Sequence, residues 1–269
     1  MKESVCCVLL GCVLLMGGVA AQAQAGGSAT VDANQQKARA ELNAMVQAMG
    51  GERWLTLQNS YFQGRASGFY QGKPTGAITD YFQYRTITGP GAGQERVEYT
   101  KKRDAVDIYT GDQCWETTYQ GKKTLPKDIC DDYLRRRDHS IDVAVRVWLK
   151  DPNTILIDEG QTLSERHLTD QVTLIAPSNE SVTIQMDAET HLPRSRTFQW
   201  RDPVYHDKNT EREEYDDYHT FDGIPTAFSI TRFKNGDMTS QRFLYKAAYN
   251  VALPPDAFNI DATAAKVKK

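Results

Sequence analysis

Basic residues are not in excess in this chain. Its 32 lysines and arginines face 35 aspartates and glutamates, a formal charge of −3 with an isoelectric point near 6.0. With no cationic surplus to neutralise a phosphate backbone, nucleic acid is not expected as a partner. Cysteine is scarce, five in 269 residues, and no C-x-x-C pair is present, which argues against a thiol oxidoreductase. The five histidines, His139, His167, His191, His206 and His219, never fall at H-x-x-x-H or H-x-H spacing. A metal site would need non-local assembly, and none is expected. No G-x-S-x-G elbow occurs; Gly64-Arg65-Ala66-Ser67-Gly68 has the wrong spacing. Gly89-Pro90-Gly91-Ala92-Gly93 lacks the Lys-Ser/Thr ending of a phosphate loop and reads as a hairpin loop. Neither a cofactor nor a catalytic set is therefore expected, and the chain does not read as an enzyme.

What is present is an ordinary globular composition, 40% hydrophobic and 25% charged, with enough apolar material for a sizeable core. The first 25 residues read as a secretory signal peptide: Lys2, an apolar run from Val5 to Ala20, then Ala21-Gln22-Ala23-Gln24-Ala25 with small-x-small cleavage sites after Ala23 or Ala25. The apolar run is short for a bilayer span of about 20 residues. Leu9-Leu10-Gly11-Cys12 resembles a lipid-attachment box, but a cut there would leave a greasy stretch behind it, so an anchor at Cys12 is disfavoured. The mature chain is expected to be periplasmic or secreted. It keeps Cys114 and Cys130. In an oxidising compartment these can form a disulfide stabilising by roughly 3 kcal/mol; two buried free thiols are the alternative.

The chain then divides by periodicity. Residues 26–33 read as a small-residue linker. Ala38, Leu42, Met45, Val46 and Met49 make a helical apolar stripe after the Asp32/Gln35 capping pair, and Gly50-Gly51 stops it. Strands follow to about Tyr119. A helical stretch opens at Thr124-Leu125-Pro126, carries Ile141, Val145, Trp148 and Leu149, and closes at Lys150-Asp151-Pro152, with Asp138-His139-Ser140 as a break between two helices. Strands resume, among them alternating Val182/Ile184/Met186 and Phe198/Trp200, with hairpin turns at Asp222-Gly223 and Asn235-Gly236. The pattern predicts a mainly β (α+β) single domain over residues 34–260, about eleven antiparallel strands with two or three helices, followed by a polar tail, 261–269.

Four segments carry a family likeness: Thr190-His191-Leu192-Pro193-Arg194, Tyr215 through Pro225, Thr231-Arg232-Phe233-Lys234-Asn235-Gly236, and Leu253-Pro254-Pro255-Asp256-Ala257-Phe258. With the leader, the helix ending in Gly-Gly, and two strand meanders around a helical insert, the chain resembles the LolA/LolB-like outer-membrane lipoprotein-sorting proteins. The likeness covers roughly residues 36–260 and speaks for fold more than activity. It departs at His191, where the turn usually carries glycine, at Arg135-Arg136-Arg137 in the insert, and at the polar loop Asp202–Asn209. The resemblance implies a curved, incomplete antiparallel β-barrel with helices on its concave side. About eight strands is the limit for an interior that side chains alone fill, so a wider sheet should leave an apolar cavity. The expected ligand is a lipid or the acyl chains of a lipoprotein. Envelope proteins and peripheral membrane contact are the expected partners.

The residues expected to line that cavity are Leu42, Met45, Met49, Trp115, Ile141, Val145, Trp148, Phe198 and Trp200. Glu211, Glu213, Tyr215, Asp217 and His219 would share one face of a regular strand. That supports a rival, a cell-envelope hydrolase using Glu213 and His219, against a solvated face with charges balanced across strands. Arg135-Arg136-Arg137 reads as a solvated helix face paired with Asp131, Asp132 and Asp138, against contact with anionic headgroups. A third reading is a non-enzymatic envelope scaffold with a filled interior.

Overall fold

The computed structural model describes residues 20–87 and 93–267, with side chains described from Asp32 onward. The apolar leader, Cys12 and most of the Gly89–Gly93 loop lie outside the described residues. The first meander comprises β1 (Asn59–Tyr70), β2 (Lys73–Thr86), β3 (Glu95–Tyr99), β4 (Ala105–Thr110), β5 (Gln113–Thr118) and β6 (Gly121–Thr124). The second comprises β7 (Ile155–Ser164), β8 (His167–Ile175), β9 (Ser181–Asp187), β10 (Pro193–Arg201), β11 (Lys208–Phe221), β12 (Ile224–Lys234) and β13 (Asp237–Tyr249). All thirteen form one curved antiparallel sheet in the order β6-β5-β4-β3-β2-β1-β13-β12-β11-β10-β9-β8-β7. The meanders join where β1 pairs with β13.

Local chemistry sets many of these hairpins. Asp222 and Gly223 have φ of 50° and 76°, and Asn235 and Gly236 have 53° and 87°. Two successive positive φ values are what a two-residue hairpin loop needs to match strand twist. The count exceeds about eleven because some hairpins carry weak signals. β7 and β8 turn through Glu165 and Arg166, both at positive φ without the usual Asn or Gly. β6 is a four-residue, mostly polar strand.

The open sheet leaves β6 and β7 as its edges. The chain passes from one to the other through α3 (Lys127–Asp138), α4 (Ile141–Arg146) and a 3-10 turn, Trp148–Lys150. The helical insert is thus the connection between the two edges and lies across the concave face. Its break falls at His139, and the Ser140 hydroxyl caps α4 by accepting from the Val143 N–H. The disulfide Cys114–Cys130, with Cα atoms 5.7 Å apart, ties α3 to β5.

α1 (Ala20–Ala48) lies against β7 and β8, and its backbone is helical through the stretch read as a linker. Asn34 seals the β7 edge: its Nδ2 donates to the Asp158 carbonyl and its Oδ1 accepts from the Asp158 N–H, each at 2.9 Å. α2 (Glu52–Leu55) follows. The residues expected as a polar tail largely form α5 (Ile260–Val267), which packs on β4–β6. There Arg96 donates to the Thr263 hydroxyl at 2.6 Å and holds the helix down.

Two buried clusters result. One joins α1, α2 and α4 to β7–β10 through Leu42, Met45, Leu156, Ile184, Met186 and Phe198. The other joins β2–β5, α3 and β13 through Tyr81, Val97, Tyr109, Cys130 and Leu244.

Candidate functional site

Between the clusters, beneath the insert, lies a cavity of about 430 Å³. That falls within the 300–1,000 Å³ typical of small-molecule sites. Trp54, Leu57 and Met49 border it on one side, and Phe62, Tyr81, Val97, Tyr99 and Tyr109 on the other, with Tyr133 and Ile141 from the insert. The space exists partly because β1 turns small residues inward. Gly64 pairs with Tyr81 and Leu244, and Ala66 pairs with Arg242. A Cβ on Gly64 would meet the Phe243 carbonyl oxygen at 2.2 Å, so this register shift admits only glycine.

The cavity is not the uniformly apolar void expected from sequence. Arg196, Glu213, Arg232 and Ser240 stand directly opposite one another on β10 to β13 and form a polar row on the concave face. Glu213 is 7% exposed. Its Oε1 accepts from Arg232 Nε at 2.7 Å and Arg242 Nη2 at 3.1 Å, and its Oε2 from Arg196 Nε at 3.1 Å and the Tyr215 hydroxyl at 2.8 Å. Burial alone would raise this carboxyl, but Arg232, Arg196 and Arg242 hold it well below the usual range. Arg196 also donates to the His139 carbonyl at 2.9 Å, bolting the helix break to the sheet. Burial pushes the Tyr81 phenol up, against the pull of Arg242 and Arg232, so it is protonated at neutral pH.

A second cavity of about 270 Å³ adjoins the first, sharing Arg136, Arg196, Glu213, Arg232 and Ser240 as a common wall. Arg136 points into both, with Glu211 its nearest carboxylate at 3.9 Å. Burial and the neighbouring Arg232 lower its pKa. The three consecutive arginines are therefore not a solvated face. Arg135 lies over the Trp200 ring at 3.5 Å and pairs with Asp132 at 2.6 Å, and Arg137 binds Asp138 and the Gly111 carbonyl.

Of the residues expected to line the cavity, Met49 and Ile141 do so. Leu42, Met45, Val145, Trp148 and Phe198 are buried in the first cluster, Phe198 also bordering the second cavity. Trp200 is partly buried and donates to Glu211 at 3.1 Å. Trp115 pairs with Ile108, whereas cavity-lining Tyr109 pairs with Cys114, so Trp115 is on the opposite face of the sheet.

The proposed Glu213/His219 pair is not assembled. Asp217 takes a φ of 54° and is left without a paired residue between Asp216 and Tyr218, although the β11–β12 register is the same on either side. Alternation breaks there, Tyr218 turns inward, and His219 is left exposed beside Asp217 at 3.0 Å. Glu213, engaged by three arginines, is no free base. Its charge is balanced across strands, as the bland alternative had it, but buried rather than solvated. Arg232, Arg242 and Tyr81 escaped the sequence analysis. The available signal was arginine in the inward period of β13, where Arg242 is in phase with Leu244.

Elsewhere, ligand atoms of Glu41 on α1, Asp170 on β8 and His191 in the β9–β10 turn lie within 4.8 Å of one another and could approach a metal ion. Asp170 is already engaged by Gln161 at 3.0 Å. His191 has a φ of 57°, which explains why glycine suits that position.

No protein-family model matches the chain, and no curated protein matches it. Solved structures do. A DUF1329 family protein from Desulfovibrio piger superposes with a TM-score of 0.57 at 13% identity, over 85% of this chain and 98% of that one. A domain assigned to the outer membrane lipoprotein-sorting proteins, from Vibrio parahaemolyticus, gives 0.56 at 9% identity, over 88% and 100%. The fold is LolA-like. A LolA superfamily protein from Nitrosomonas europaea is more distant, with a TM-score of 0.49 at 11% identity over 85% and 99%. At such identities the likeness concerns the fold alone. Among the described residues no helix of this LolA-like chain is long and apolar enough to cross a membrane.

Proposed function

We propose that this protein is an exported, non-catalytic carrier that shields the apolar part of a lipid, or of a lipoprotein's acyl anchor, in the cavity under its helical insert. The observation that carries this reading is the cavity itself: about 430 Å³ left open between two packed cores and bordered by aromatic and aliphatic side chains. Each CH₂ moved from water into such a site contributes about 0.8 kcal/mol. Met49, Leu57, Phe62, Tyr99 and Ile141 would hold the chain. The volume suits one chain better than a bundle of several. The disulfide fits an oxidising compartment, and cleavage after Ala23 or Ala25 would release the folded domain there.

The test is native mass spectrometry of the protein purified from its own cells, with uptake of N-phenyl-1-naphthylamine by delipidated protein as a second readout. A co-purifying lipid and saturable probe fluorescence are expected. An empty chain that takes up no probe would overturn the carrier reading and favour a scaffold.

A further inference from the structure

We propose that the cavity takes an amphiphile whose polar end is acidic, a carboxylate or a phosphate, held by Arg242, Arg232 and the Tyr81 hydroxyl while its chain lies against the aromatic end. This rests on the carrier reading and specifies its ligand. Three observations support it.

The first is charge. Although the chain as a whole is anionic, six arginines border the main cavity against three carboxylates, Glu95, Asp142 and Glu213. Asp142 is already paired with Arg85 at 3.1 Å, and Glu95 accepts from the Tyr133 hydroxyl at 3.1 Å. Glu213 alone faces Arg196, Arg232 and Arg242. Its two oxygens already accept four hydrogen bonds, so it leaves a cationic surplus.

The second is unspent donors. Tyr81 is 3% exposed, and its hydroxyl has no hydrogen-bond partner among the described residues. Arg242 Nε is likewise buried and unpartnered. Buried donors without acceptors are rare in folded proteins. Both side chains border the same cavity, Tyr81 from β2 and Arg242 from β13, on either side of β1 where they pair with Gly64 and Ala66. A carboxylate or phosphate oxygen supplies acceptors for a phenol and a guanidinium together, and guanidinium groups match these planar or tetrahedral anions well.

The third is division of the space. The arginine row separates the aromatic main cavity from the smaller, more polar one behind it, which Arg136 and Lys234 also border. A single-chain amphiphile with its head on the main-cavity side of that wall, at Arg232, Arg242 and Tyr81, and its chain against the aromatic residues would place both in matching surroundings. Alcohols or esters of equal length would fill the apolar part without satisfying the donors.

The experiment is displacement of N-phenyl-1-naphthylamine from delipidated protein by dodecanoate, dodecyl phosphate and dodecanol, each below its aggregation threshold. At least one acid is expected to bind tenfold or more tightly than the alcohol, and the stronger of the two distinguishes a carboxylate from a phosphate head. Tyr81→Phe, which removes one oxygen, and Arg242→Met, which leaves Glu213 with Arg196 and Arg232, should each narrow that acid-to-alcohol ratio at least threefold. Equal binding of acids and alcohol, or a ratio unmoved in both variants, overturns the acidic-head assignment while leaving the carrier reading standing. Failure of all three compounds to displace a bound probe overturns the acidic-head assignment alone; failure of the probe to bind to a chain that also carries no lipid removes both.

Discussion

The imidazole of His139 lies flat against the ring of Phe198, their centroids 4.4 Å apart and planes 19° from parallel. His139 is the break residue of the insert and Phe198 belongs to β10, so this contact joins the helical strap to the sheet. The imidazole Nδ1–H donates to the Arg135 carbonyl at 2.8 Å, fixing the ring's orientation. Phe198→Ala should cost about 3–5 kcal/mol and His139→Ala about 2–3 kcal/mol. A double-mutant cycle by urea denaturation should return a coupling of about 1 kcal/mol.

Glu213 is expected to be the costliest single charge to remove. Glu213→Gln leaves three arginines facing one another around a neutral amide, a loss of about 3–5 kcal/mol. Because the folded-state pKa lies below the unfolded one, the carboxylate's contribution is present above that unfolded value and fades as pH falls through the folded one. Denaturation midpoints from pH 7 to 2 should therefore fall for the native protein below about pH 4, and the variant should show a shallower acid limb.

Asp107 behaves in the opposite sense. Burial pushes its carboxyl from 3.8 up to about 6, against the hydrogen bonds of Tyr99 and Tyr109, with Glu116 adding repulsion. Folding then loses stability as pH rises from about 4 through 6. The shift caps the effect at about 3 kcal/mol, and losing the Tyr109 contact reduces it. Asp107→Asn should gain about 1–2 kcal/mol at pH 7.5 and nothing at pH 4, read by thermal melts across that range.

Reducing Cys114–Cys130 should cost about 3 kcal/mol. The effect should be local as well as global. Hydrogen exchange in α3 should speed up more than in α1, because the bridge is the insert's covalent tie to β5.

Legibility in the sequence followed range. Features decided within a few residues were visible: the hairpins at Asp222-Gly223 and Asn235-Gly236, Pro126 opening α3, and the Ser140 cap after the break. The antiparallel meanders and the edge-to-edge insert follow from these in order. What stayed hidden depends on partners far along the chain. Asp217 takes its positive φ within an unshifted strand pairing, so the acidic stripe predicted on one face ends at Tyr215. Arg196, Glu213 and Arg232 meet only because three strands fall into one register. The void was expected because many strands surround few helices, but its charged wall was not. Inward arginines on β12 and β13 look like ordinary polar alternation until the sheet curves.

The Asn34 amide has a consequence beyond packing. An unclosed sheet of this size offers two margins to which another chain's strand could add, the usual route to fibres. On β7, Asn34 occupies the N–H and carbonyl of Asp158, and Lys37 lies 2.7 Å from that residue's carboxylate. On β6, Lys122 pairs with Asp261 of α5 and Lys123 with Glu116, and α5 packs against that short margin. Covered at both margins in this way, the open sheet should resist edge-to-edge pairing between copies of the chain.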